Sequence, residues 1–481
     1  AYSEGKRPRW RLFQLAFVLL NLRGMSDPLH EDRERVELIF FPTGGGKTEA
    51  YLGVVAFTLL LRRLRGTRLP HGGLGVAVLL RYTLRLLTLD QLQRAATLVC
   101  ALEMIRREIP ATLGEERFAV GLWVGRSGTA NTLVEAKRAI LDYKNGKLGS
   151  PVPLPCCPWC QAPLGKSSVE LVPSAKEPTG VRVGCLQPDC AFSASNNPEG
   201  IPLVFVDEQL YSELPAFVIG TVDKFAMVPW RAEAGRVFGK VRGRIKGRFI
   251  GHEEKTTKEK PIPLPHGLPA PDLIIQDELH LITGPLGTMV GLYETAVDHL
   301  CSREHQGQRI RPKVMAATAT VRRASRQIQL LYGRRSEQVS LFPPPAMNDS
   351  ETWFAEVDPD EASARLYLGV AAPGRSMRNI LVRVYRTLLA AAASQYDPQG
   401  DPKQTADGYM TLAGYFNSLR ELGGMRRLVE DEVRARCAKA HEVRPENAEG
   451  PHRWMAKREL NHHPVELTSR ESTDSIKTAK A

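Results

Sequence analysis

The chain has 481 residues, 43% of them apolar and 25% charged, with a formal net charge of +12. That length exceeds one ordinary core, so two or three domains are expected, and the composition is that of a soluble globular protein. The positive excess points to a polyanionic partner, while the absence of any apolar run of ~18–20 residues argues against a membrane span.

The most apolar early run, residues 12–22, is interrupted by Gln14 and Asn21 and lacks a small-residue cleavage site, so no signal peptide is expected. Five of the eight cysteines fall between residues 156 and 190. Such clustering suits metal binding in a reducing compartment, hence a cytoplasmic location, rather than a disulfide framework. The chain opens without a methionine and closes on the polar tail "TSRESTDSIKTAKA", so it is expected to be a piece of a longer protein.

In chain order, "VELIFF" (36–41) reads as a buried strand and "GKTEAYLGVVAFTLLLRRL" as a helix opening at the glycines. "LGVAVLLRY" is the next strand, "LTLDQLQRAATLVCALEMIRREI" the next helix and "FAVGLWVG" a third strand. This alternation predicts an α/β protein with a parallel sheet covered by helices. Prolines and cysteines break the pattern over 150–200, and apolar strands return as "IPLVFVD", "AFVIGT", "DLIIQDE" and "KVMAATAT". The basic stretch 235–260 reads as an exposed insertion or loop, and 341–361 as a linker. Beyond it "MRNILVRVYRTLLAAAASQ" is helical, and "YMTLAGYF" followed by "NSLRELGGMRRLVEDEVRARC" repeats a strand-then-helix theme.

Three motifs carry chemistry. "PTGGGKT" (42–48) places glycines between a strand and a helix, where Thr43, Gly44, Gly45 and Gly46 let backbone N–H groups approach phosphate oxygens. Lys47 would reach the β- and γ-phosphates of ATP, and the Thr48 hydroxyl would bind Mg²⁺. In "DLIIQDELH" an acidic pair ends an apolar strand: Asp277 can hold Mg²⁺, and Glu278 can act as general base, with His280 in the same catalytic box. Third, "VMAATAT" sets Thr318 and Thr320 just past another apolar strand. The bland alternatives are a glycine-rich turn and a solvated acidic pair.

In this order the three motifs resemble those of superfamily 2 helicases, with "DELH" where that superfamily has DEAD or DEAH. The resemblance implies tandem RecA-like domains, with Thr318 and Thr320 coupling the ATP site to the second. Phe41 stands where the common G-x-x-x-x-G-K-[ST] pattern begins with glycine, a departure that helicase-type loops tolerate. Gln14 in "RLFQLAF" stands where such proteins keep an adenine-contacting glutamine. "RYTLRLLTLDQLQRA" and "IGTVDKFA" stand where they grip the nucleic-acid backbone, which nominates Arg81, Thr83, Arg85, Arg94, Thr221 and Lys224 as phosphate contacts. For each arginine alone, an ordinary surface position remains open.

The extended wording of "FPTGGGKTEAYLG", "RYTLRLLTLDQLQRA", "GLWVGRSGTANT", "QDELHLITGPLG" and "AGYFNSLRELGG" resembles the helicase subunit family of DISARM anti-phage systems, over about residues 10–430. That resemblance implies an ATP-dependent DNA helicase or translocase in bacterial defence. It also implies a companion protein carrying a DUF1998 domain, and neighbouring methyltransferase and phospholipase-D-like genes. The expected organisation is an N-terminal segment (1–34), a first RecA-like domain (35–150 and 201–340), a zinc-binding insertion (151–200), a linker (341–364) and the start of a second RecA-like domain (365–481). The chain departs from the pattern in lacking a Q-x-x-G-R-x-G-R segment, whose arginine is worth roughly 10³–10⁵ in rate in related enzymes. A nucleic-acid-binding scaffold with a weak or absent ATPase, or an RNA helicase, therefore stays open beside the DNA motor.

Lys47 and Asp277 are 230 positions apart, more than a compact domain needs between these motifs. The excess holds Cys157-x₂-Cys160, then 24 residues, then Cys185-x₄-Cys190. Two short knuckles offering four thiolates are the usual set for tetrahedral structural Zn²⁺, and they leave no position for substrate. Cys156 could replace Cys157, and buried free cysteines are the alternative to a metal site.

Overall fold

Seven apolar runs become strands of one sheet, joined by an eighth that the sequence reading had left at the start of the linker. The structure is a computed structural model and describes residues 9–41, 44–66, 71–83, 85–125, 128–254, 259–318, 324–344, 346–347, 351–356, 366–401, 404–442, 455–460, 463–468 and 471. The strands are β1 (Val36–Phe40), β2 (Val78–Tyr82), β3 (Val120–Trp123) and β4 (Leu203–Val204). They continue as β5 (Phe217–Thr221), β6 (Leu273–Gln276), β7 (Lys313–Thr318) and β8 (Val339–Phe342). Their order across the sheet is β8-β1-β7-β6-β2-β5-β3-β4, and every neighbouring pair runs parallel.

A parallel sheet is buried on both faces, which is why its strands are apolar almost throughout. Alternate residues feed two cores. Ile39, Val78 and Leu80 pack with α1 (Leu12–Ser26), α2 (Lys47–Gly66) and α3 (Arg85–Glu108), while Leu38 and Leu79 belong to the second core. That second core takes in Val290, Val297, Ile328 and Tyr332 from α7 (Gly284–Cys301) and α8 (Ala324–Tyr332). Between them in sequence lie α4 (Leu133–Lys144), α5 (Asp207–Glu213) and α6 (Val222–Ala226). Local chemistry sets the helix ends: Thr132 and Glu135 form a capping box on α4, and α2 carries Glu49 in its first turn and Arg63 and Arg65 in its last.

The basic stretch 235–260 is not an open loop. Val241–Ile245 and Arg248–Gly251 pair as an antiparallel hairpin across Lys246 and Gly247, both at positive φ as a tight hairpin turn requires. Three of its charges are matched: Arg236 is buried against Glu253 and Glu254, Arg244 pairs with Glu116 at 2.6 Å, and Lys246 with Glu259 at 2.5 Å.

The chain divides into two compact units, Ala1–Asp358 and Pro359–Ala481. The described residues of the second unit are helical or irregular, with helices Met377–Gln395 and Leu419–Leu428 sharing a small core of Val382, Leu389, Met425, Val433 and Cys437. The strand expected at "YMTLAGYF" is not formed, and a 3₁₀ turn, Thr405–Tyr409, leads into irregular chain. Strand propensity is largely a matter of context, and this unit has no neighbouring strand among its described residues.

Candidate nucleotide and metal sites

The register of the sheet brings the carboxyl ends of five strands to one rim. Phe40 lies beside Thr318, Gln276 beside both Ala316 and Arg81, and Tyr82 beside Thr221. Ligands of open α/β sheets bind in the crevice outside such strand ends. The glycine segment leaves β1 at this rim. Gly44 and Gly46 have φ of +79° and +98°, and a side chain at position 46 would collide with Gln14 Nε2. Pro42 and Thr43 lie outside the described residues.

Lys47 opens α2 and is buried, its Nζ donating to Phe41 O at 2.6 Å. Burial lowers its pKa below the usual lysine value, against the opposing pull of Glu278 and Asp277. Asp277 follows β6, and two donors hold its carboxylate: the Glu278 backbone N–H at 2.8 Å on Oδ1 and the Tyr51 hydroxyl at 2.8 Å on Oδ2. Thr48 Oγ1 is 3.4 Å from that same hydroxyl, so Tyr51 touches both expected Mg²⁺ ligands, whose oxygen donors are of the type that ion takes. Glu278 sits at φ +49°, a left-handed conformation that costs roughly 1–3 kcal/mol in a residue other than glycine. Burial, then the Asp277 charge, raise its carboxyl pKa despite His280 and Lys47. His280 Nδ1 lies 3.3 Å from Glu278 Oε2 and 3.4 Å from Thr318 Oγ1, which joins the acidic box to the end of β7. Thr320 lies outside the described residues.

Gln14 reaches the glycine segment from α1. Its Nε2 donates to Gly46 O at 3.0 Å and its Oε1 accepts from Arg11 N at 2.9 Å. Phe41, the residue standing in place of the usual glycine, explains how α1 is held there: its ring stacks on Phe13 at 4.0 Å and 9°. The apolar side chain at that position anchors the helix carrying Gln14.

The expected phosphate contacts divide. Arg81 is fully buried and forms a two-pronged ion pair with Glu294, at 2.6 and 3.2 Å. Burial presses its pKa down, but Glu294, Tyr332 and Tyr293 together hold it above the usual arginine value. Arg81 is therefore a core residue and not a surface phosphate contact, which corrects the sequence expectation. Lys224 is largely buried too, donating to Asp207 and, at 3.2 Å, to Asn131 Oδ1. Burial pushes the Asp207 pKa up and Lys224 pulls it down, with burial prevailing. Arg94 pairs with Glu49 at 2.9 Å on the surface. The Thr83 and Thr221 hydroxyls at adjacent strand ends are buried without a hydrogen-bond partner among the described residues. Arg85 begins α3, and its side chain lies outside the described residues. A cleft of about 1560 Å³ lies apart from the glycine segment; Trp123, Asp207, Lys224, Arg231 and Glu253 line it, acids beside bases.

The sequence reading missed Tyr51, Tyr82 and Glu294. Tyr51 stands one helical turn beyond Lys47 and Thr48, a spacing that places it on their face of α2. Tyr82 and Glu294 carried no such signal.

The four cysteines form the second site. Cys157 Sγ and Cys190 Sγ are 3.8 Å apart, Cys160 Sγ and Cys185 Sγ 3.4 Å, and all four lie within 4.8 Å of one another. Tetrahedral thiolates at ~2.3 Å from zinc are separated by roughly 3.8 Å, so this group could hold such an ion. Backbone N–H groups of Gln187 and Phe192 point at the Cys185 and Cys190 sulfurs, as knuckles provide. Cys156 stands outside the group, its thiol donating to Gln161 Oε1 at 3.3 Å and accepting from Gln93 Nε2 at 3.6 Å. Burial pushes the Cys190 thiol up to about 11 and the Cys157 thiol higher still. The ribbon is not a loose appendage: Cys157, Cys185 and Cys190 belong to the core that includes Phe118 and Val120, and Thr97 and Arg107 of α3 bond Pro158 O and Ala191 O.

A parallel α/β sheet with a glycine segment, a buried lysine and an acidic strand end at one rim is the class of protein these features define. No family model matches the chain. It is 39% identical over 492 residues to the DISARM protein DrmA of Bacillus paralicheniformis, an alignment taking in 97% of this chain and 42% of that protein. The chain is thus a homologue of DrmA, spanning less than half of that relative's length, and the family resemblance read from its motifs holds. A looser likeness is to the crystal structure of the DUF1998 helicase MrfA bound to DNA, at TM-score 0.30 and 12% identity, over 69% of this chain and 25% of that one. A match so loose supports no comparison of folds. Among the described residues no helix is long and apolar enough to cross a membrane.

Proposed function

We propose that the chain is the ATP-hydrolysing part of a superfamily 2 DNA helicase or translocase acting in DISARM-type anti-phage defence. The observation that supports this most is the convergence of Lys47, Thr48, Asp277 and Glu278 at one rim, with Thr318 touching His280 beside Glu278. Lys47, held by a backbone carbonyl, would exchange that bond for β- and γ-phosphate oxygens. Thr48 and Asp277 would hold Mg²⁺, which when bound supplies positive charge at the phosphates. Glu278, its pKa raised, would orient the attacking water and take its proton, and His280 would pass its state to Thr318. Gln14 would brace the glycine segment on the adenine side.

The nucleic-acid path in this reading runs over the ends of β2 and β5, beside Thr83 and Thr221, whose hydroxyls have no hydrogen-bond partner among the described residues. DNA as the track, a DUF1998-bearing companion and a cytoplasmic setting belong to the same proposal, motivated by DrmA homology. The cysteine ribbon is assigned to Zn²⁺ with a structural role.

The test is ATP turnover with and without single-stranded DNA, with Glu278→Gln as control. DNA-stimulated turnover that the substitution removes is expected. A protein that binds DNA but shows no such turnover would instead be a scaffold, and stimulation by RNA alone would replace the DNA reading.

A further inference from the structure

The buried hydroxyls of Tyr51 and Tyr82 have no part in the mechanism above, yet they lie between its two halves. Tyr51 Oη is 2.8 Å from Asp277 Oδ2, 2.7 Å from Tyr82 Oη and 3.4 Å from Thr48 Oγ1. Both rings are about 1% exposed. A phenol has one proton to give, and a carboxylate only accepts. The Tyr51 proton therefore goes to Asp277, and the Tyr82 proton goes to the Tyr51 oxygen. The order of donation is fixed: Tyr82 to Tyr51 to Asp277.

Position gives this short chain its meaning. Tyr51 belongs to α2, one turn past the lysine and threonine of the glycine segment. Tyr82 is the last residue of β2, flanked by core-paired Arg81 and by Thr83. Asp277 N–H in turn donates to Arg81 O at 3.1 Å, so β2 and the acidic box are joined through backbone as well.

We propose that Tyr51 and Tyr82 are positioning residues: a two-hydroxyl relay that orients the Asp277 carboxylate for Mg²⁺ and ties it to the strand end leading into the nucleic-acid grip. This rests on the reading of Thr48 and Asp277 as Mg²⁺ ligands. With Tyr51 removed, Asp277 Oδ2 loses the hydroxyl that donates to it at 2.8 Å, and the carboxylate is less constrained. With Tyr82 removed, Tyr51 keeps its bond to Asp277 but loses the partner that fixes its rotamer and its link to β2.

The experiment compares the protein with Tyr51→Phe and Tyr82→Phe, which keep the rings and hence the packing. Mg²⁺ is titrated into protein loaded with a fluorescent ATP analogue, a readout independent of turnover, and ATP turnover is followed with and without single-stranded DNA. Tyr51→Phe is expected to raise the half-saturating Mg²⁺ at least threefold. Tyr82→Phe is expected to reduce the ratio of DNA-stimulated to unstimulated turnover at least threefold, with a smaller change in Mg²⁺ demand. Unchanged Mg²⁺ demand in Tyr51→Phe overturns the relay, and so does an unchanged stimulation ratio in Tyr82→Phe. If the parent binds Mg²⁺ and the analogue but turns nothing over, the motor reading fails while the Tyr51→Phe titration still decides the positioning role. Should either variant melt well below the parent, Thr48→Val and Tyr51→Phe are combined: Mg²⁺ demand no worse than in Thr48→Val alone overturns the proposal.

Discussion

Arg81 and Glu294, 213 positions apart, meet in the core in a two-pronged ion pair that water does not reach. The guanidinium also faces the rings of Phe225 and Tyr332, at 5.4 and 6.0 Å. One partner comes from β2, whose end carries Tyr82, and the other from α7, which follows the acidic box. The pair therefore pins together the two segments that leave the rim on either side of Asp277.

Breaking it should be costly. Removing one partner leaves the other charge buried and uncompensated, a loss of about 3–5 kcal/mol in comparable pairs, whereas replacing both with apolar side chains is often near neutral. Arg81→Met and Glu294→Leu are each expected to lower the denaturation midpoint sharply, and the double substitution to recover much of the loss. Additive losses in urea titrations of the three variants would contradict the assignment of Arg81 to the core.

Glu278 gives a pH prediction with a definite sign. Its folded-state pKa is raised, by burial first and then by Asp277, so the folded protein holds that proton more tightly than the unfolded chain does. The stability this contributes is fully present below the unfolded value near 4.5 and is lost as pH rises through the folded value. At neutral pH the ionised Glu278 is thus a net cost relative to its protonated form. Glu278→Gln, which cannot ionise, should be more stable than the parent at pH 7.5, with the gap narrowing toward pH 4.5. Denaturation curves at the two pH values check this, and a parent more stable than the variant at pH 7.5 would refute it. If Glu278 is also the base, turnover should fall on the acid side at a pH above the ordinary glutamate range.

Gln14 can be tested by the kind of loss it produces. Its amide already serves Gly46 O and Arg11 N, so its bonds within the protein brace the glycine segment. Gln14→Ala is expected to weaken ATP and GTP binding by similar factors, measured as KM or by displacement of a fluorescent analogue. Selective loss of ATP would instead make Gln14 a reader of the adenine edge.

The parts of the site legible in the sequence are those that local chemistry dictates. Left-handed glycines before Lys47 and charge at the end of an apolar strand at Asp277 are needed wherever the segments fall in space, and the structure brings both to one rim. What the sequence hid depends on which strands become neighbours. The sheet places β2 beside β6 although β3, β4, β5 and the cysteine and hairpin insertions lie between them in sequence, and that adjacency lets Tyr82 approach Tyr51 and Asp277. Arg81 looked like a surface grip because its position matched a motif, while its partner lay beyond the acidic box in an unremarked helix. Similarly, charge counting saw Arg236, Arg244 and Lys246 in the basic stretch but not Glu116, Glu253, Glu254 and Glu259 that pair with them.

The structure gathers one of the two cysteine sets that the sequence left open, and the difference is measurable. Cys157, Cys160, Cys185 and Cys190 converge, whereas Cys156 bonds Gln161 and Gln93 instead. The protein is expected to hold one zinc per chain by elemental analysis. Cys156→Ser should keep it, since a hydroxyl can make the same two contacts, while Cys157→Ser and Cys190→Ser should lose it. Because those two sulfurs share the core with Phe118 and Val120, and α3 is bonded to the ribbon through Thr97 and Arg107, loss of the ion should not stay local. Binding free energy of a structural zinc is folding free energy, so chelation should lower the melting temperature of the whole first unit and not merely release a small domain. A single cooperative transition that moves on chelation is the expected result; an early, separate transition with the main one unmoved would show that the ribbon folds independently of the sheet it sits on.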